Sequence, residues 1–313
     1  MEQTEKETLL GLLSHVFETN EDIDGLVYLD IQKIFYYLRR RLGDDNEIFE
    51  LLPYYWYIDG TVSDTVEQSV NHGLENGVIT AETTTRTGSG KWHQMSEDFS
   101  PTEVAVNETD YETAKEELDT VLREDYDVFS SYEEKLGDIY EDAPYEFQDY
   151  FKFHVLQELE RFANGRPWTY NPEQFKTNIS TAEAYLPLDA EFEEFNTLFS
   201  RYVNTATRYF DSVKNESREF ADRFKQLSES VWRLYCQQLR LLEHDEYYDV
   251  KRDEWEDEYE RTKKLVTNDL IEFRRLLDVE FGDSDDVSTS RVPEDSAWGQ
   301  IVSDYLDEPD MPN

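Results

Sequence analysis

The sequence predicts a mainly α fold in two parts: an N-terminal winged helix of three helices plus a β-hairpin wing, then a long antiparallel helical bundle. Three observations predict it. Apolar residues recur at helical spacing over most of the chain. A turn, Arg86-Thr87-Gly88-Ser89-Gly90, separates two β-prone runs near residue 85. Seams of Phe, Tyr, Val and Leu run through residues 192–277 at alternating steps of three and four.

Composition decides that the chain folds at all. It has 313 residues with 72 Asp and Glu against 30 Lys and Arg, a formal net charge of −42. So high a charge describes either a disordered chain or a packed core under a carboxylate-rich surface. The 21 Tyr, 18 Phe and 6 Trp argue for the core, because disordered chains are poor in aromatics. Only 12 of the basic residues are lysine, and an acidic, lysine-poor, aromatic-rich chain is similar to haloarchaeal proteins. The charge is therefore read as adaptation to salt and not as mimicry of DNA.

Residues 1–100 build the first part. Leu9, Leu12, Leu13, Val16 and Phe17 sit on one helical face. A second helix runs from about Asp30, read as its N-cap, to Leu42, with Ile31, Ile34, Phe35 and Leu38 inward and Gly43 past its end. Pro53 closes the loop into Tyr54-Tyr55-Trp56-Tyr57. A third helix starts at Ser63, turns Val66, Val70 and Leu74 inward, and stops at Gly77. The runs 78–85 and 91–95 then form the wing.

Residues 104–282 read as helix after helix. Phe147, Phe151, Val155, Leu159 and Phe162 mark one, ending at Gly165. The stretch from Gly165 to Pro187, with three prolines, reads as a crossing loop. Long helices follow, carrying Phe192 to Val213, Phe220 to Leu241 and Trp255 to Leu277. Each is expected to span about 25–30 residues, or roughly 40 Å. Short breaks near Lys214–Asn215 and Tyr247–Asp249 favour antiparallel neighbours. Residues 283–313 are an acidic tail in which Trp298, Ile301, Val302, Tyr305 and Leu306 make one apolar helical face.

The run Ile31-Gln32-Lys33-Ile34-Phe35-Tyr36-Tyr37-Leu38, then Leu52-Pro53-Tyr54-Tyr55, then a helix ending in Gly77-Val78-Ile79, resembles a known pattern. It is similar to the helical segment of archaeal winged-helix proteins related to the SocA-like antitoxin (Panacea) domain. Those proteins carry a Gln-Lys helix, a Pro-Tyr turn followed by a Gly-Pro step, and a helix ending near Gly-Leu-Ile. Here Tyr57-Ile58-Asp59-Gly60 stands in place of the Gly-Pro step. The layout also resembles PadR-like regulators, in which a winged helix precedes a helical dimerisation arm.

A winged helix that binds double-stranded DNA needs cations for phosphates and polar groups for base edges. Gln68, Ser69, Asn71 and His72 on the third helix are the candidates for bases, although that helix also carries Asp64, Glu67 and Glu75 and no Arg or Lys. Residues 83–96 hold no acidic residue, and Arg86, Lys91 and His93 lie there as candidates for the backbone or minor groove. Arg39-Arg40-Arg41 is the other basic cluster; its plainer reading is complementation of a helix C-terminus. The alternative function is a non-enzymatic interaction protein, antitoxin-like or defence-associated. In that case the winged helix and Trp298, Ile301, Val302, Tyr305 and Leu306 bind a protein partner.

No glycine-rich phosphate loop, HExxH, GxSxG or paired-Cys pattern occurs, so neither catalysis nor a cofactor or metal is expected. The acidic runs Glu243–Glu246 and Asp253–Glu258 read as solvated faces. His154 reads as a packed histidine and Cys236, the only cysteine, as a small hydrophobe. No apolar run reaches the roughly 18 residues of a membrane span, and residues 1–5 lack a signal peptide's basic and apolar regions. The expectation is a cytoplasmic transcriptional regulator of a halophilic archaeon or its virus, dimeric through the long helices.

Overall fold

A computed structural model describes residues 1–20, 22–83, 91–96, 99–140, 142–164, 171–212 and 218–281. Helix α1 (Gln3–Thr19) buries Leu9, Leu12, Leu13 and Val16, the face its spacing predicts. A short strand β1 (Leu26–Val27) leads into α2 (Tyr28–Leu42), and Gly43 ends that helix at φ 68°. Asp30 is not the N-cap: it is the third residue of α2, and one carboxylate oxygen accepts from the Val27 N–H at 3.3 Å.

After a single turn, α3 (Glu47–Glu50), the run Tyr54 to Val62 forms a hairpin that periodicity did not reveal. Strands β2 (Tyr55–Tyr57) and β3 (Gly60–Val62) pair antiparallel, with Tyr57 opposite Gly60. Gly60 has φ 98°, and a Cβ there would fall 2.6 Å from Ile139 and 2.9 Å from Lys33 Nζ. Glycine is required both for the turn and for the close approach.

Ser63 precedes α4 (Asp64–Glu75), whose Val66 and Val70 are buried and whose Leu74 is half-buried. Strands β4 (Ile79–Thr83) and β5 (Lys91–Met95) follow; residues 84–90, including Arg86, lie outside the described residues. β5 is central in a three-stranded antiparallel sheet ordered β1-β5-β4, with Leu26 opposite His93 and Ile79 opposite Met95. The core beneath α1, α2 and α4 also takes in Tyr111, Ala114 and Leu118 of α5 (Glu108–Thr120), and Val121 and Tyr126 beyond it.

The rest is helical among the described residues. α6 (Tyr132–Tyr140) precedes a continuous run of α7 (Glu146–Tyr150), a π-helical turn (Phe151–Leu156) and α8 (Gln157–Asn164). His154 lies on that turn and is exposed rather than packed, with its ring 4.6 Å from Tyr150.

The crossing loop expected from 165 to 187 contains a helix, α9 (Pro172–Ala184). Pro172 occupies its first turn, where a missing N–H costs nothing, and the Asn171 side chain caps it. Phe175 on α9 is fully buried, its ring 4.3 Å from that of Phe210.

Three long helices complete the described residues: α10 (Glu193–Ser212), α11 (Arg218–Leu242) and α12 (Arg252–Phe281). α10 is shorter than its seam suggested, 20 residues, because a 3₁₀ turn (Ala190–Phe192) supplies Phe192. The pairings Phe195–Tyr235 and Tyr202–Phe224 run in opposite directions, so α10 and α11 are antiparallel. Arg240 meets Glu258 while Phe224 meets Phe273, so α11 and α12 are antiparallel as well.

Residues Met1–Arg274 form one compact unit, and residues 275–281 carry α12 onward. The tail, with Trp298, Ile301, Val302, Tyr305 and Leu306, lies outside the described residues. No helix among the described residues is long and apolar enough to cross a membrane.

Candidate functional site

The resemblance residues Gln32, Lys33, Pro53 and Tyr54 meet at one place, and their work there is structural. Gln32 is buried on α2. Its Oε1 accepts from the Ser63 N–H at 2.9 Å, and its Nε2 donates to the Ser63 carbonyl at 3.0 Å. Tyr54 donates its hydroxyl to the Gln32 carbonyl at 3.1 Å. Lys33 is fully buried and donates to the Thr61 carbonyl at 2.7 Å. Burial away from water pushes its ammonium down to about 7, a shift that nearby Asp59 opposes. One turn of α2 thus holds strand β3 at its middle residue, Thr61, and just past its end, at Ser63.

The same hairpin is held from its other side by the connection between α11 and α12, where residues Glu246–Lys251 form a 3₁₀ helix. Trp56 donates its N–H to the Glu243 carbonyl at 3.2 Å, and Asp245 donates its own to the Tyr54 carbonyl at 3.0 Å. The Asp245 carboxylate accepts two bonds from Arg39, each 2.8 Å, and a third from the Tyr54 N–H. The acidic run Glu243–Glu246 is therefore not simply a solvated face: Asp245 and half-buried His244 belong to this seam.

Tyr248 donates its hydroxyl to the Pro53 carbonyl at 3.2 Å and accepts from the Asp64 N–H at 2.9 Å. Lys251 pairs with the Asp64 carboxylate. The N-terminus of α4 is thus engaged by the C-terminal half of the chain. Rings of Tyr55, Tyr248 and Trp255 close the seam at centroid distances of 4.9 to 5.7 Å, and burial raises the phenols of Tyr55 and Tyr248. The Arg240 guanidinium lies over Tyr57 at 4.8 Å and over Trp255 at 4.6 Å.

The candidate DNA-contact residues do not gather on one surface. Ser69 is buried and donates its hydroxyl to the Thr65 carbonyl. Gln68, Asn71 and His72 are half-buried on α4, and His72 Nε2 stands 3.8 Å from Glu7. His93 is buried in the sheet with Nδ1 3.3 Å from the Leu26 carbonyl, and burial lowers its pKa. Lys91 is half-buried at the start of β5.

Each arginine of the basic cluster is taken up internally. Arg39 pairs with Asp245 and lies 4.1 Å over the Phe49 ring. Arg40 pairs with Asp142, and Arg41 with Asp125 and, at 3.1 Å, Glu124. Their partners, which include Glu117 at 3.6 Å from Arg41, come from far along the chain, up to 206 residues away, so the triplet ties elements together and does more than complement its own helix end.

Among the described residues, no group of three or more His, Cys, Asp or Glu is placed to hold a metal ion. Cys236 is buried, and desolvation raises its thiol well above the ordinary range, which disfavours the thiolate. A cleft of about 430 Å³ does open between the β2–β3 turn and α11, lined by Asp59, Lys152, Lys225, Trp232 and Arg233 among others.

No family model matches the chain, and neither a curated protein nor a solved structure does.

Proposed function

We propose that residues 1–96 are a winged-helix-type module used for protein recognition within a non-enzymatic interaction protein. The element order supports the winged-helix part. A short strand between the first two helices pairs with the second strand of the terminal hairpin, and α4 stands where a recognition helix belongs. The β2–β3 hairpin is an insertion before that helix.

The observation that carries the choice of protein over duplex is the engagement of the module's cations. Arg39, Arg40 and Arg41 are neutralised by Asp245, Asp142 and Asp125, and His93 is buried. Exposed Glu67 and Glu75 remain on α4, and phosphates approaching them meet repulsion. Beside the start of α4, the 246–251 turn presents Val250, 89% exposed, and Tyr247, 48% exposed. An apolar pair rimmed by carboxylates suits a basic protein surface with an apolar centre.

The test is co-purification from the native cell with tagged wild-type protein and the double variant Tyr247→Glu, Val250→Glu, alongside duplex-DNA anisotropy across salt. A stoichiometric protein partner lost in the variant, with no saturable DNA binding, is the expected result. Saturable, salt-weakened DNA binding with no retained protein overturns it.

DNA contact through the wing is the second reading. Lys91, in the acid-free stretch 83–96, favours it. Loss of duplex affinity on Lys91→Glu with Arg86→Glu would establish it.

A further inference from the structure

The cleft beside the β2–β3 turn has features that nothing above uses. Its walls come from separate parts of the chain: Ile58 and Asp59 from the hairpin turn, Leu136 from α6, Lys152 and Leu156 from the π-helical turn, and Lys225, Trp232 and Arg233 from α11. Its volume, about 430 Å³, falls in the range of small-molecule sites.

The lining carries three cations, Lys152, Lys225 and Arg233, and three carboxylates, Asp59, Glu160 and Glu229, but they are not evenly paired. Lys152 is satisfied by Asp59 at 2.8 Å. Lys225 is held only loosely, 3.5 Å from Glu229 and 3.9 Å from Glu160, beyond the length of a good charge-assisted hydrogen bond. Arg233 is exposed and has no ion-pair partner among the described residues, in a chain with 72 carboxylates to offer. The Trp232 indole N–H is buried without an acceptor. A buried donor left unpaired costs on the order of 1–3 kcal/mol.

One of the two π-helical turns among the described residues also lies here, the other being Val121–Asp125. The π-helical turn Phe151–Leu156 supplies both Lys152 and Leu156 to the wall, and such turns are rare and concentrate at functional sites. One carbonyl of the turn, that of His154, is satisfied by the Asn178 side chain of α9 at 3.1 Å, so the turn is supported from outside the cleft.

We propose that this cleft binds a small amphiphilic anion, an apolar or aromatic body carrying one phosphate or carboxylate. Arg233 and Lys225 take the anionic group. Ile58, Leu136, Leu156 and the Trp232 ring take the body. The rim carboxylates Glu160 and Glu229 oppose any anionic head group, so net binding depends on burial of the apolar body, which inorganic phosphate lacks.

The test is isothermal titration of the full chain with phenyl phosphate, benzoate and inorganic phosphate as probes. Saturable one-to-one binding of phenyl phosphate or benzoate is expected, much tighter than that of inorganic phosphate. The tighter of the two identifies the head group. Arg233→Glu, at an exposed position that leaves folding intact by circular dichroism, should weaken binding by about tenfold or more, while Lys91→Glu leaves it unchanged. The proposal is overturned if neither aromatic probe binds, if inorganic phosphate binds as tightly as phenyl phosphate, or if Arg233→Glu has no effect.

Discussion

Arg39 on α2 and Asp245, 206 residues later, form a two-bonded ion pair, each bond 2.8 Å long, and the same carboxylate accepts the Tyr54 N–H. The pair is partly shielded, with side-chain exposures of 18% and 29%. It joins the two halves of the compact unit, and its loss should be felt by both.

Asp245→Ala should lower unfolding free energy by about 1–3 kcal/mol, less than for a fully buried pair because water still reaches both groups. Urea unfolding followed by tryptophan fluorescence measures it. A change below about 0.5 kcal/mol would mean the seam holds without this carboxylate.

A larger effect is expected inside. The Asp30 carboxylate is buried and accepts from Lys135 Nζ and the Tyr126 hydroxyl, both at 2.7 Å. Lys135→Met strands a buried charge and should cost about 3–5 kcal/mol. Adding Asp30→Asn should recover part of that loss, since the uncompensated charge is then gone. A double variant no more stable than Lys135→Met contradicts this account.

Lys33 predicts a pH dependence. Its folded-state pKa is down to about 7 while an unfolded lysine titrates near 10.5, so between these values the unfolded state binds more protons. The burial cost is therefore full below about pH 7 and disappears as pH rises toward 10.5. In urea titrations from pH 7 to 10, the wild type should gain stability relative to Lys33→Met. Parallel curves for the two proteins would show that Lys33 keeps its charge in the fold.

His93 acts on the acid side. Burial lowers its folded pKa below 6.5, so the unfolded state protonates first and stability falls as pH drops below about 6.5. His93→Gln should remove that part of the acid sensitivity. Thermal melts at pH 5 and pH 7 give the comparison, and an unchanged difference between them refutes it.

Salt should stabilise the protein. With a net charge of −42, self-repulsion weakens as the screening length shrinks from about 8 Å at 0.15 M to about 3 Å at 1 M. The melting temperature should rise across that range of KCl. A fall would mean that the surface ion pairs outweigh the repulsion, against the haloarchaeal reading of the composition.

Much of the framework was legible in the order of residues. The inward faces of α1, α2 and α4, the aromatic seams of α10 to α12 and the β4–β5 hairpin all follow from spacing, because a buried face repeats every 3.6 or 2 residues. Several elements escaped, among them β1, α3, the β2–β3 hairpin and α9. The β2–β3 hairpin is three residues a side, too short for alternation to register. α9 was hidden by prolines that break a helix interior but suit its first turn. The cleft left no local signal, since its walls come from residues 58 to 233.

Sequence by itself therefore determined which residues of α1, α2, α4 and α10 to α12 turn inward, where α2 and α4 stop, and that the chain folds despite its charge. Only the tertiary structure decided what the polar groups meet. Periodicity marks a side chain as facing in or out, but says nothing of what covers it. Arg39–Arg41 and His93 read as candidate DNA contacts until residues such as Asp245, Asp142, Asp125 and Leu26 are brought against them. An ion pair or hydrogen bond is a matter of ångströms in space, whatever the separation along the chain.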